Sequence, residues 1–496
     1  MHSATEWASW SEYRKRESLT ADLPRGGDCP CALYFPADYK VGMANLGFHY
    51  IYRALREEGV LAERFFNSPA PYRSVETDTL LLRFPVVLGS ISYEAGVPEF
   101  ARWLAGGKIP PSRTSRRDVL VGAGGAVTYI NPLSLSAICD FVVLGDGILT
   151  ASFVVETLRR GFSREKTLAA LAEHPSVYVP AFHGEGRHSL HTARDRIAGG
   201  YGRGTWTTPL AAFGDALLLE LQRGCPRGCN FCTLTYCFGS AEMRDVNLVK
   251  RDIEEAEDFC GFSRIGLVTP EAGDYTDLDE LLEFAERRSK AVSFASLRVE
   301  GLSERMVRAL SGFGRRSVTI APESGDEELR NRCGKLFTNG DLIGKLKMAA
   351  ECGARQVKMY FMFGLPGETD GQLLSISKLC ARVRDETGLA VTAAVSPFVP
   401  KPGTPWAEEE FEGEKRLKIK HSLISKSFGI PGVKLQSGSI REACLEYALS
   451  WAETKASELI AGSAGRGVSR GKLEIMPDKV MFYAEMERLG LRGFHN

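Results

Sequence analysis

From residue 32 onward, short apolar runs alternate with longer amphipathic or polar stretches along most of the chain. The runs 32–35, 86–89, 119–122 and 141–144 each lead into a glycine-containing or polar loop, and 47–58 carries the spacing of a helix with one apolar face. Apolar runs too short to be helices, separated by crossovers, predict a parallel sheet with helices packed on it. A stretch rich in Gly, Arg and Thr follows at 184–208. The alternation then resumes, predicting strands at 216–222, 263–269, 291–297, 316–321, 355–363 and 389–396, with helices between them such as 247–260, 277–289 and 338–352. Repeated strand-then-helix units imply parallel strands with right-handed crossovers, the pattern of an open or closed β/α barrel.

The expected organisation is therefore α/β throughout. Residues 1–30 read as a polar leader on the surface, and 31–183 as a doubly wound, Rossmann-like domain. A linker at 184–214 leads into a partial six-stranded β/α TIM-type barrel at 215–410. A small C-terminal segment, 411–496, is expected to cap the barrel. A length of 496 residues accommodates two to four domains of ordinary size.

Composition narrows the partners. The 62 Lys and Arg balance the 62 Asp and Glu, so no global basic field draws the chain to nucleic acid or an anionic membrane. The run Lys415, Arg416, Lys418 and Lys420 reads as a solvated face. Glu12, Arg14, Lys15 and Arg16 stand where a signal peptide would be apolar. The uncharged stretch 119–139 is long enough for a membrane span, but Gly122, Gly124, Gly125, Asn131 and Pro132 divide it. A cytoplasmic protein without a membrane partner is expected.

Most of the 12 cysteines are scattered singly, as reduced core thiols are. Cys225, Cys229 and Cys232 are not. They fall within LLLELQRGCPRGCNFCTLTYCFG, directly after a predicted strand, on a loop that a β/α barrel sets at its C-terminal, active-site face. Three thiolates from one loop can hold three irons of a four-iron cluster and leave the fourth iron open. A structural zinc ion would instead recruit Cys237 as a fourth ligand, although such sites usually pair two C-x2-C knuckles.

The C-x3-C-x2-C spacing, with the aromatic Phe231 before the last cysteine, resembles the radical S-adenosylmethionine (SAM) superfamily. The resemblance implies a 4Fe-4S cluster whose open iron chelates the amino and carboxylate groups of SAM. It also implies reductive cleavage of SAM to methionine and a 5'-deoxyadenosyl radical, fed by an electron donor such as flavodoxin or ferredoxin. Residues matched to the family's SAM contacts are Phe231 in the cysteine loop and Glu271 after the second strand, where the family has a GGE-like motif. Ser296 and Arg298 follow the third strand, Glu323 in TIAPESG ends the fourth, and Gly364 and Leu365 open the glycine turn after the fifth.

The stretches YFPADYKVGMANLGFHYIYRAL, VVLGSISYEAG, VLVGAGGAVTYINP and VVLGDG resemble the cobalamin-binding-type domain that precedes the barrel in one radical SAM subgroup. With the barrel, the resemblance covers about 32–410. It places Ser90, Ser92, Gly124, Gly125, Gly145 and Gly147 in the loops that close on cobalamin. The histidine of the cobalt-ligating D-x-H-x-x-G motif is missing, since the nearest string is Asp38, Tyr39, Lys40, Val41, Gly42. His49, on the amphipathic helix, is expected to pack rather than to ligate. The activity implied is a cobalamin-dependent methyltransferase acting on an unknown substrate. The alternatives are a radical SAM enzyme without cobalamin, performing hydrogen abstraction or rearrangement, and a non-enzymatic iron-sulfur or zinc protein. Methylthiolation would require a second cluster on three N-terminal cysteines, and Cys29, Cys31 and Cys139 have unsuitable spacing.

Overall fold

A computed structural model describes residues 9–184, 192–194, 201–311, 316–451 and 453–464. The chain forms two compact units. The first comprises Met1–Leu217, Glu254–Gly261 and Ala448–Leu489, and the second comprises Leu218–Ile253, Phe262–Tyr447 and Gly490–Asn496.

In the first unit, strands β1 (Cys29–Tyr34), β2 (Val60–Phe65), β3 (Val86–Ser90), β4 (Leu120–Gly124), β5 (Phe141–Val143) and β6 (Val177–Tyr178) form one sheet in the order β2-β1-β3-β4-β5-β6. All neighbours are parallel except β5 and β6. The order reverses between β1 and β3, which is the switch point of a doubly wound fold. The apolar runs predicted four of these strands.

The sequence did not announce β2, because Glu63 and Arg64 interrupt its apolar pattern. Arg64 is buried, with its guanidinium 2.7 Å from Glu17 and 2.6 Å from Glu76, and it lies 4.0 Å from the Trp206 ring centroid. A charge can be buried there because carboxylates pair with it on two sides.

The same network corrects two expectations. Among its described residues, 9–30, the leader is surface chain only in part. Trp10 is fully buried against Tyr39 and Phe66, its indole N–H donates to the Arg73 carbonyl at 2.8 Å, and Glu17 comes from this segment. Nor is 201–208 a linker. Trp206 and Thr207 pair antiparallel with Leu19 and Ser18, and the Thr205 N–H donates to His49 Nδ1 at 3.1 Å. Single large side chains and backbone pairing hold both segments where composition suggested solvent. His49 is fully buried against Trp206, and burial pushes its pKa down to about 3, so it packs as a neutral ring. Residues 185–191 and 195–200 of the expected linker lie outside the described residues.

The C-terminal segment is divided. Its strand β13 (Val433–Ser437) extends the barrel sheet, but from Ala448 the chain belongs to the first unit. Helix Thr454–Ser463 packs on the turn Pro132–Leu135 and on helix Gly96–Gly106. Buried polar groups fasten it. The Asn131 amide donates to the Leu449 carbonyl at 2.9 Å, the Ser450 hydroxyl to Glu94 at 2.7 Å, and the Ala137 N–H to Ser457 at 2.9 Å. Residues 465–496 lie outside the described residues.

In the second unit, β7 (Ala216–Glu220), β8 (Arg264–Val268) and β9 (Ala291–Phe294) form one sheet in the order β9-β8-β7. Strands β10 (Ser317–Glu323), β11 (Gln356–Phe363), β12 (Ala390–Pro397) and β13 form a second, parallel in sequence order. Among the described residues no ladder joins β9 to β10, and the arrangement is a partial barrel. All six predicted strands are present. Helices Val246–Phe259, Leu278–Arg287, Asn339–Glu351 and Asp370–Thr387 make the return crossings. The last two start with capping boxes, Thr338 with Asp341 and Thr369 with Gln372. Among the described residues, no helix is long and apolar enough to cross a membrane.

Removing Arg64 leaves two partly buried carboxylates, Glu17 and Glu76, without their shared partner. Arg64→Ala is expected to destabilise the first unit by roughly 3–5 kcal/mol in urea unfolding. Hydrogen exchange at Leu19 and Trp206 should accelerate with it; unchanged exchange would show that another interaction holds those segments.

Candidate functional site

The cysteine loop begins where the buried apolar strand β7 runs out. A short antiparallel ladder, Gln222–Arg223 with Glu242–Met243, closes its base and makes the residues between them an excursion from the strand end. Gly224 holds a φ of +73°, and a Cβ there would lie 2.7 Å from the Ser240 carbonyl oxygen. The Cys232 N–H donates to the Cys229 carbonyl at 3.1 Å, and the Thr235 hydroxyl to the Cys225 carbonyl at 3.0 Å.

Segments that follow β10 and β12 hold this loop from outside. The Asn230 N–H donates to the Cys333 carbonyl at 3.2 Å and its side-chain amide to the Arg332 carbonyl at 2.8 Å, while the Trp406 N–H donates to the Asn230 carbonyl at 3.0 Å. Gly334 brings its backbone so near that a Cβ would stand 3.1 Å from Cys229 Cα. Phe231 packs against the buried cluster of Leu329, Cys333, Leu365, Phe398 and Trp406. Two residues matched to SAM contacts, Phe231 and Leu365, thus belong to the apolar anchor of the loop.

Cys229 is buried, and Cys225 and Cys232 are partly buried. Burial pushes the thiols of Cys225 and Cys232 up, and the neighbouring Cys229 sulfur adds to the shift in both. Arg298 Nη1 approaches Cys229 Sγ at 3.5 Å, and its Nη2 is 2.9 Å from Glu300 Oε1. Among the described residues, no three His, Cys, Asp or Glu side chains converge enough to hold a single metal ion. A four-iron cluster asks for something else, one thiolate per iron, and an all-cysteine set from one loop fits it. The Cys237 side chain, the fourth ligand of the zinc alternative, lies outside what the structure describes.

Glu271, after β8, is buried. Its Oε1 accepts the Gly273 N–H at 3.0 Å, while Oε2 is buried with no partner. A Cβ at Gly273 or Gly301 would come within 3.0 Å of Oε1, so two glycine backbones form the wall around the carboxylate. Burial raises its pKa to about 7. A buried carboxylate oxygen without a donor is costly, which suits a cationic donor brought by a ligand.

The remaining matched residues differ in setting. Ser296 is exposed, and its carbonyl accepts the Ala272 N–H at 3.4 Å. Glu323 has a φ of +65° beyond a register shift in β10. Its Oε1 is 2.6 Å from Lys335 Nζ, which also donates to the Ala321 carbonyl. Lys335 carries no spacing signal and was not anticipated. Gly364 takes a φ of +76°, and its N–H donates to Glu368 at 2.8 Å. The structure gathers the cysteines, Phe231, Glu271 and Arg298, while the Glu323 carboxylate is already engaged by an ion pair.

In the first unit, Ser90 and Gly124 end β3 and β4, and Ser92 Oγ accepts from the Asn45 amide at 3.3 Å. Gly125 has a φ of +113°, and a Cβ there would overlap the Ile91 carbonyl. Gly145, at φ +80°, meets the Ala193 carbonyl in the same way, because Ala193 bridges to it. These two glycines were expected to make room for a ligand. The structure gives another reason for them, close approach of the chain's own backbone. Gly147 opens helix Gly147–Arg159, where a Cβ would meet only the flexible end of Ile51.

Comparison with known proteins gives two family matches. The radical SAM superfamily matches residues 219–380, and the N-terminal region of radical SAM proteins matches 47–180. An uncharacterised protein of Methanocaldococcus jannaschii is 32% identical over 230 residues, covering 46% of this chain and 50% of that protein. A tRNA-2-methylthio-N(6)-dimethylallyladenosine synthase of Wolbachia pipientis is 25% identical over 241 residues, covering 43% of this chain and 51% of the relative. The matched region thus spans about half the length of these curated relatives. Among solved structures, the radical SAM methyltransferase TsrM from Kitasatospora setae, with cobalamin and a 4Fe-4S cluster bound, aligns with a TM-score of 0.50 at 15% identity over 76% of each chain. The cobalamin-dependent enzyme OxsB aligns with a TM-score of 0.51 at 14% identity, over 81% of this chain and 56% of the other. With the cysteine loop at the strand end of a partial barrel and a Rossmann-like unit before it, the chain belongs to the radical SAM superfamily, in the architecture of the subgroup whose N-terminal domain is of cobalamin-binding type.

Proposed function

We propose that this radical SAM enzyme is a cobalamin-dependent methyltransferase, with Cys225, Cys229 and Cys232 as the iron ligands and Glu271 as the SAM-ammonium acceptor. The observation that carries the reading is the pairing of a three-thiol loop after β7 with the partnerless, buried Oε2 of Glu271 after β8. When bound, the cluster would supply the electron that cleaves SAM, delivered by a flavodoxin- or ferredoxin-type donor in the cytoplasm. The chain's part is to hold and orient. Glu271 takes the ammonium in a water-poor wall of glycine backbone, and the turn from Gly364 offers close backbone approach for the adenine. Glu323, already paired with Lys335, contributes its carboxylate as half of that pair.

The corrin half of the reading is supported by the two-unit architecture shared with TsrM and OxsB. The loops after β3, β4 and β5 offer Ser90, Ser92 and Gly124 as its contacts, with cobalamin as the methyl carrier. Sulfur insertion, as named for the Wolbachia relative, is less well supported. Cys31 and Cys139 are sealed in the core near the N-terminal ends of β1 and β5, where burial pushes both thiols well above their ordinary range.

Alanine at Cys225, Cys229 or Cys232 is expected to abolish the iron and sulfide of the anaerobically reconstituted protein, while Cys237→Ala retains them. Zinc in place of iron, lost with Cys237, would establish the structural zinc site instead.

Glu271 sets a pH dependence. Its raised pKa keeps it protonated below about 7, and only the carboxylate pairs fully with an ammonium. SAM affinity should therefore rise with pH through about 7. Glu271→Gln should flatten that profile and weaken binding by roughly 1.5–3 kcal/mol, with iron content unchanged. A flat wild-type profile removes Glu271 from the site.

Hydroxocobalamin is expected to bind the wild-type protein at micromolar concentrations, with His49→Ala binding equally. Gly125→Val is expected to disturb the Ile91 loop itself, read as faster hydrogen exchange there. Failure of the wild type to bind corrin would leave a radical SAM enzyme without cobalamin.

A further inference from the structure

We infer that Arg298 tunes the reduction potential of the cluster through Cys229, with Glu300 as its counter-charge; the inference rests on the reading of the three cysteines as iron ligands. The resemblance assigned Arg298 to SAM, but both terminal nitrogens of its guanidinium face partners within the chain, and only Nε is buried without one. Nη1 faces Cys229 Sγ at 3.5 Å and Nη2 faces Glu300 at 2.9 Å. Cys229 is the most buried of the three thiols, and the Arg298 side chain is only 11% exposed.

The position is fixed by its neighbours. Leu297 and Val299 are both buried, so the backbone at 298 follows the end of β9 rather than swinging free. Two further ion pairs border the loop, Arg227 with Asp274 and Lys335 with Glu323. Each joins a cation to a carboxylate, as Arg298 and Glu300 do, but Arg298 is the cation whose N–H reaches a sulfur. A cluster gains one negative charge on reduction. An N–H directed at a ligating sulfur, together with a nearby positive charge, stabilises the reduced state more than the oxidised one, and hydrogen bonds and net charge are established determinants of these potentials. Glu300 opposes this, more weakly, because its side chain is 31% exposed and screened by solvent.

The two residues should therefore move the potential in opposite directions. The full chain, reconstituted anaerobically without SAM, is titrated electrochemically with the reduced cluster read by electron paramagnetic resonance. Iron and sulfide are determined first. Arg298→Gln is expected to lower the ratio of reduced to oxidised cluster at a fixed potential about tenfold, about 59 mV for a one-electron couple. Glu300→Gln is expected to raise that ratio. Wild-type potentials in both variants overturn the inference while leaving the cluster reading intact. So does an unchanged potential in Arg298→Gln accompanied by lost SAM affinity, which makes Arg298 a SAM contact. If Arg298→Gln fails to assemble a cluster, the direction of the Glu300→Gln shift decides, upward in support and absent or downward against. A wild-type protein that takes up no iron and sulfide overturns both readings, at the first measurement.

Discussion

Cys225, Cys229 and Cys232 are crowded on one loop, where burial and the neighbouring Cys229 sulfur raise the thiols of Cys225 and Cys232, and much of the second unit holds that loop in place. The loop is closed at its base by a two-residue ladder and bonded through Asn230 to segments that follow β10 and β12. Phe231 anchors it in an apolar cluster drawn from the same regions. With the backbone fixed, repulsion among the sulfurs cannot be relieved by spreading apart. It can be relieved by positive charge, and Arg298 stands where that charge acts on a sulfur directly. The buried carboxyl of Glu271 is the complementary case, a group whose Oε2 has no partner and whose burial favours the neutral form.

The sequence made the barrel legible because its strands recur between helical stretches, β7 as a nearly continuous buried apolar run and β10, β11 and β12 with apolar residues at the buried, alternate positions. The cysteine loop was legible for a different reason, since metal ligation imposes a spacing that few other constraints produce. Strand β2 was hidden because Arg64 breaks its pattern, and the charges that permit Arg64 lie far off in the sequence, at Glu17 and Glu76. The leader and the 201–208 stretch looked like solvent-facing chain because polar composition outweighed their few large apolar residues. Trp10 and Trp206 do the packing there. Glu271 could be placed by its position after a strand, whereas Glu300 and Lys335 act through partners that no local pattern reveals.

Gly125 and Gly145 illustrate a limit on reading glycine. A strand-end glycine in a doubly wound fold satisfies either a ligand or the chain itself, and both leave the same letter in the sequence. Here the atoms that a Cβ would strike belong to Ile91 and Ala193. That moves attention to Ser90, Ser92 and Gly124, where the added methyl of an alanine at 124 would find only ordinary contact with Val143.

The first unit takes its residues from both ends of the described chain, since Trp10 and Glu17 fasten one part of it and Asn131, Ser450 and Ser457 another. During synthesis Glu94, Asn131 and Ala137 must therefore wait for the segment at 449–457 before they find these partners. The barrel, interposed between them, has all its strands on the ribosome earlier than that. In evolutionary terms the Rossmann-like unit is not a detachable cassette. A gene fusion or excision that stopped at the end of the barrel would remove the last layer of the domain that precedes it.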